Sequence, residues 1–134
     1  MKLADKLKEL SIPIPESSSK FGNYLPFLQD GNRIYISGQL PIQDGAIITG
    51  KVDSEVTVEE AKKAAKLSII NTLIILHSID NEIDLKDISC IQLSGFVNAD
   101  NTFDKHPDVI NGASDFICEI RFSMFVLFLT DIIT

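Results

Sequence analysis

The chain has 134 residues, 45% hydrophobic and 23% charged, the make-up of one globular domain large enough for its own core. Its net charge of −7 argues against a nucleic-acid backbone as the main partner, because phosphate binding requires a basic face. Cys90 and Cys118 have no metal-type spacing and read as buried small hydrophobes, which suits a cytoplasmic protein and not a disulfide framework.

In chain order, Leu3, Leu7 and Leu10 fall at helical spacing among lysines and acids. They predict a short amphipathic helix over 2–10 that docks onto the domain and stops at Ser11 and Pro13. The charged start has no apolar core of a signal peptide. Residues 13–20 read as a polar Pro/Ser linker. Asp30-Gly31-Asn32 between two apolar runs predicts a hairpin, since glycine supplies the positive φ a tight turn requires. Its second strand covers 33–37. A further turn at Gln43-Asp44-Gly45 leads to a short strand over 46–48.

The stretch 31–41, GNRIYISGQLP, organises the rest. It opens as an alternating strand and breaks at Ser37-Gly38. Gly38 removes a Cβ at the strand end, so a ligand can approach the backbone there. Ser37, Gly38 and Gln39 either form a polar pocket floor or merely end a strand in a turn.

Thr57-Val58-Glu59-Glu60 is a capping box that starts the main helix. From 67 to 76 this helix is apolar nearly all round, so its second half is expected to be buried. It ends near 78–81. Residues 88–98, ISCIQLSGFVN, are dense in apolar side chains and predict a strand buried on both faces. A polar loop over 98–105 holds Phe103. A second helix is expected over about 107–120, with Pro107 tolerated in its first turn. Gly112 and Ala113 within it suggest close contact with another backbone. The apolar run 122–129 is too short to span a bilayer. The order of elements reads as α+β, a single domain over 1–134 with helices packed on one face of a mixed sheet.

Few residues suggest chemistry by themselves. Asp104, His106 and Asp108 alternate like metal ligands, but Pro107 interrupts them and nothing elsewhere supports them, so they read as a helix start and no metal is expected. His77 reads as a packed histidine. No Ser–His–Asp set and no phosphate loop are present. Tyr24 either hydrogen-bonds a ligand or packs.

Taken together, Gly22-Asn23-Tyr24, Gly31-Asn32, Ser37-Gly38-Gln39-Leu40-Pro41, Gly50-Lys51-Val52, Gly95-Phe96-Val97-Asn98 and the tract from Val109 to Asp115 resemble the RidA/YjgF family, also labelled L-PSP endoribonuclease, over roughly residues 5–120. The resemblance implies a chorismate-mutase-like α+β fold, a homotrimer with pockets between subunits, and cofactor-free deamination of small reactive enamines and imines. It implies pocket-lining roles for Tyr24, Ser37, Gly38 and Gln39, and more loosely for Phe96, Val97 and Asn98. In the family an arginine, within a stretch like ARxAVGV, holds the substrate carboxylate bidentately. A glutamate in a last strand like VEIEA helps position water. Neither stretch occurs here, and Arg121 lacks the surrounding motif.

The expectation is therefore a homotrimer with impaired deaminase activity, the catalytic residues unassigned. The alternatives are a non-catalytic small-molecule-binding subunit and a ribonuclease, the last opposed by the acidic charge. The tail from about 121, RFSMFVLFLTDIIT, is expected to stem from a reading-frame shift. It would lack the family's last two strands and extend the second helix.

Overall fold

The computed structural model describes residues 1–15 and 25–120, together with the backbone at 123–124 and 128–129. Helix α1 (Leu3–Glu9) lays Leu3 and Leu7 fully into the core. Its entry is fixed from outside: the Leu3 N–H donates to the Ile83 carbonyl at 2.9 Å and the Leu85 N–H to the Met1 carbonyl at 3.0 Å. The expected docking of this helix is thus observed.

Strands β1 (Phe27–Asp30) and β2 (Arg33–Ile36) form the expected hairpin, with Asp30 opposite Arg33 and Leu28 opposite Tyr35. Gly31 takes φ +59° in its turn. A smaller hairpin, β3 (Ile42–Gln43) with β4 (Ala46–Ile47), turns at Asp44 and Gly45. Both turn residues have positive φ, +53° and +77°, the pattern whose twist suits a two-residue hairpin.

Helix α2 (Val58–Ile79) begins at the capping box. The Glu60 N–H donates to Thr57 Oγ1 at 3.1 Å, and the Thr57 N–H donates to Glu60 Oε2 at 2.7 Å. In its second half Ile69, Leu73, Ile75 and Leu76 are buried, while Leu67, Ile70 and Ile74 are only half-buried. Helix α3 (His106–Glu119) carries Pro107 in its first turn and packs along α2. A Cβ on Gly112 would lie 2.2 Å from the Lys62 carbonyl oxygen, so the expected backbone contact falls at that glycine. His106 is buried at the helix start, its ring 5.0 Å from that of Phe103, edge to face. That agrees with reading it as a helix-start residue.

Two expectations fail. Residues 88–98 are not one strand buried on both faces. They form β5 (Ser89–Cys90) and β6 (Ser94–Gly95), after which burial alternates: Phe96 and Asn98 are exposed, Val97 and Ala99 buried. Dense hydrophobicity here marks one face turned to the core and an apolar outer face. Nor does the tail extend α3, which ends at Glu119. Instead β7 (Ser123–Met124) and β8 (Phe128–Leu129) run parallel to β5 and β6, Ser89 opposite Ser123 and Ser94 opposite Phe128. Both pairs share one register offset, and α3 is the crossover that parallel pairing requires. An uncharged run of aromatic and branched residues suits a strand beside an apolar partner better than a solvated helix turn.

The principal core cluster joins Leu3 and Leu7 of α1, Ile69, Leu73 and Leu76 of α2, and Phe116 and Ile117 of α3. A second cluster gathers Val52, Ala61, Val97, Phe103 and Ile110. Among the described residues no helix is long and apolar enough to cross a membrane.

Candidate functional site

Behind β2 the chain passes through Ser37, Gly38 and Gln39 into a groove of about 910 Å³ between α2, the β3–β4 hairpin and the segment following α1. This volume lies in the range of small-molecule clefts. Gly38 and Gln39 line it beside Lys63, Leu67, Ile70 and Asn71.

The polar groups of the break are largely committed to its own backbone. The Ser37 N–H donates to the Pro26 carbonyl at 3.0 Å, and the Ser37 hydroxyl donates to the Leu25 carbonyl. Gln39 Nε2 donates to the Ser37 carbonyl at 2.9 Å. Ser37 and Gln39 thus shape the bend, and Gln39 keeps Oε1 as an acceptor. Gly38 behaves differently: its φ is not positive, and a Cβ there would meet nothing within 4 Å. Neither backbone conformation nor packing calls for glycine at this place, so the small residue leaves open space at the groove.

Asn71 was not singled out by sequence reasoning. Its Nδ2 donates to the Leu40 carbonyl at 2.9 Å and the Ile42 carbonyl at 3.1 Å. It thereby ties the segment beyond Gln39 to α2. The available signal was a lone amide inside the apolar run 67–76, because a polar side chain on such a face is normally held by a specific partner.

The remaining expected site residues lie elsewhere. Phe96, Val97 and Asn98 do not line the groove. Phe96 is 65% exposed, Val97 sits in the second core cluster, and the Asn98 carbonyl accepts from the Val52 N–H at 2.9 Å. Gly95 before them is fixed by packing, since a Cβ would lie 2.1 Å from Ile110 Cδ1. Tyr24 and Arg121 fall outside the described residues.

Among the described lining residues the cations are Lys63 and Lys66. Lys66 places Nζ 4.8 Å from the centre of the Phe116 ring, while Lys63, whose charge also acts on the Glu60 carboxylate, is the other ammonium at the groove. Among the described lining residues the one carboxylate is Asp44 in the β3–β4 turn, and none is an arginine. Among the described residues no three His, Cys, Asp or Glu side chains come together as a metal site. Burial pushes the Cys90 thiol above its ordinary value, partly opposed by a backbone hydrogen bond from Gln92, so it is not an activated nucleophile.

Over residues 5–125 the chain matches the family described as "YjgF/chorismate mutase-like, putative endoribonuclease". The chain belongs to the YjgF family. The fold is the α+β, chorismate-mutase-like architecture of that family. It is similar to the crystal structure of Atu1372 from Agrobacterium tumefaciens, a protein of unknown function, with 36% identity and a TM-score of 0.75 over 94% of this chain and 81% of that one. It is also similar to a "putative endoribonuclease" from Shewanella oneidensis, with 26% identity and a TM-score of 0.81 over 97% and 89% of the two chains. The curated protein TCP17 of Trypanosoma cruzi is 30% identical over 121 residues, 89% of this chain and 74% of its own. The YjgF match ends five residues past Ile120, inside the tail.

Proposed function

We propose that this YjgF-family chain binds small reactive enamine or imine metabolites without a cofactor, as a cytoplasmic homotrimer, and hydrolyses them slowly. The observation that carries the reading is Gly38, a glycine at the groove required by neither its φ nor its packing. A substrate of this class has one planar C=N unit and a carboxylate. Space over Gly38, an acceptor at Gln39 Oε1 and the Lys63 ammonium suit an imine N–H and a carboxylate. In the reaction water adds to the imine carbon, the C–N bond of the resulting carbinolamine breaks, and ammonia and a carbonyl compound leave.

Slow turnover follows from the residues in place. A lysine anchors a carboxylate as a point charge, without the bidentate fork of arginine. Losing one preorganised electrostatic contact lowers rates on the order of a hundred-fold or more. The homotrimer is supported by apolar side chains on the outer faces of the strands, Phe96 at 65%, Leu28 at 61% and Tyr35 at 53% exposure. Phe96 and Asn98 on such a face would meet a site completed by a neighbouring copy.

The test combines turnover of an imine generated from 2-aminoacrylate, cleavage of single-stranded RNA, and the Gly38→Val variant. The expected result is weak, saturable imine hydrolysis that Gly38→Val removes while the fold is retained. RNA cleavage without imine hydrolysis would support the ribonuclease reading instead. Saturable ligand binding without turnover would support the non-catalytic subunit.

A further inference from the structure

One face of α2 runs along the groove from a cation into hydrocarbon. Lys63, Leu67, Ile70 and Ile74 line the groove. They are spaced i, i+4, i+7 and i+11, so they form one stripe of the helix. At a rise of about 1.5 Å per residue the stripe is about 16 Å long, far longer than the imine of 2-aminoacrylate. Leu67, Ile70 and Ile74 are half-buried, and Leu67 and Ile74 join neither core cluster. The other walls add Leu10 and Ile12 from the segment after α1, and Ile48 beside the β3–β4 hairpin.

The backbone of those other walls is already engaged. The Ile12 N–H donates to the Leu7 carbonyl at 2.9 Å and the Ser11 N–H to the Lys8 carbonyl at 3.0 Å, which closes α1. The Leu40 carbonyl accepts from the Ile42 N–H and from Asn71 Nδ2, both at 2.9 Å, and the Pro41 carbonyl accepts from the Ile48 N–H at 3.0 Å. These groups offer an extended peptide no ladder to join, whereas a hydrocarbon chain needs none. Together with the ammonium of Lys63, they favour a small molecule that is charged at one end and apolar along the rest.

We propose that the substrates of this groove are imines of 2-amino acids with extended apolar side chains, the carboxylate lying toward Lys63 and the chain running along Leu67, Ile70 and Ile74. The inference rests on reading the groove as an imine site and adds the class of side chain. Water adds to the imine carbon and ammonia leaves, so the product is the 2-oxo acid. That product keeps both carboxylate and chain and serves as a stable probe.

The experiment is calorimetric titration of the full chain with 2-oxobutanoate, 2-oxohexanoate and 2-oxooctanoate, with imine turnover measured alongside. The dissociation constant should fall about fourfold for each methylene that leaves water, and by more than about tenfold across the series. Ile74→Glu should bring the ratio between long and short acid close to one. Ile48→Asp, at a side chain 41% exposed, should do the same from the opposite wall with little demand on the fold. Equal binding of the three acids by the native chain would overturn the proposal and leave the imine reading standing. Octanoate bound as tightly as 2-oxooctanoate would also overturn it, assigning the groove to plain fatty acids. Absence of saturable binding by any of the acids would overturn it as well, and imine turnover then decides whether the reading of the groove falls too.

Discussion

The Lys62 carbonyl occupies the place where a side chain on Gly112 would begin. A Cβ at position 112 would lie 2.2 Å from that oxygen and 2.8 Å from Lys62 C and Cα. Helices α2 and α3 thus meet backbone to backbone at the crossing that holds the helical layer together. In an isolated helix, alanine would be better than glycine by about 1 kcal/mol. Here the obstacle is main chain, which cannot rotate aside. Gly112→Ala is expected to destabilise by about 3 kcal/mol, the upper end for overpacking, read as a lower denaturant midpoint. An unchanged or raised midpoint would show that the helices separate freely.

Gly95 offers a contrast. Its missing Cβ is replaced by Ile110 Cδ1, at 2.1 Å, the far end of a flexible side chain. Gly95→Ala should therefore cost less than Gly112→Ala. Ile110→Val removes the obstructing methyl and by itself should cost about 1 kcal/mol. The double variant should be more stable than the two single effects predict, because the substitutions share one contact. Strict additivity in chemical denaturation would refute the contact.

The capping box gives a pH prediction. Hydrogen bonds from the Thr57 backbone N–H and hydroxyl hold the Glu60 carboxyl below its usual value of 4.5. A carboxylate lowered on folding adds stability above its unfolded value and loses it as pH falls through the folded one. The stability difference between the native chain and Glu60→Gln should thus be full above about pH 5 and vanish in stronger acid. Thr57→Ala removes the acceptor for the Glu60 N–H and should cost about 1 kcal/mol. A pH-independent difference for Glu60→Gln would rule out the box as its source.

These features differ in how far the sequence discloses them. The capping box and the Asp-Gly turns are local chemistry, carried by a few adjacent residues, and they stand where the sequence puts them. Gly112 showed itself as a glycine inside a helix, although its neighbour Lys62 could not be named from spacing. The stretch 88–98 misled because apolar density is the same for a strand covered on both sides and for one with an apolar outer face. The tail misled for a related reason: a short apolar run without alternation fits helix or strand, and the choice was made by the partner strand, which lies more than thirty residues earlier in the chain. At the site, the openness around Gly38 was anticipated from the missing Cβ. The commitment of Ser37 and Gln39 to their own backbone, and the tie from Asn71, depend on contacts that only the folded chain defines.

Phe96 carries the last prediction. It is exposed between Gly95, which abuts Ile110 of α3, and Val97, which is buried in the second cluster. Strand alternation places it on the opposite face from both contacts. Its ring therefore adds nothing to the core of one chain and leaves a large apolar side chain in water. Leu28 and Tyr35, a directly opposed pair on β1 and β2, do the same on the other half-sheet. Apolar side chains of this kind on a sheet face suit the interface of the proposed trimer. Phe96→Asp should leave the helical circular dichroism unchanged, because no core contact is lost. Light scattering should show the native chain at three times the chain mass and the variant at one. The native melting temperature should rise with protein concentration, while that of the variant should not, since only an assembly couples stability to mass action. A folded native monomer would remove the interface, and a trimeric Phe96→Asp variant would place it elsewhere on the surface.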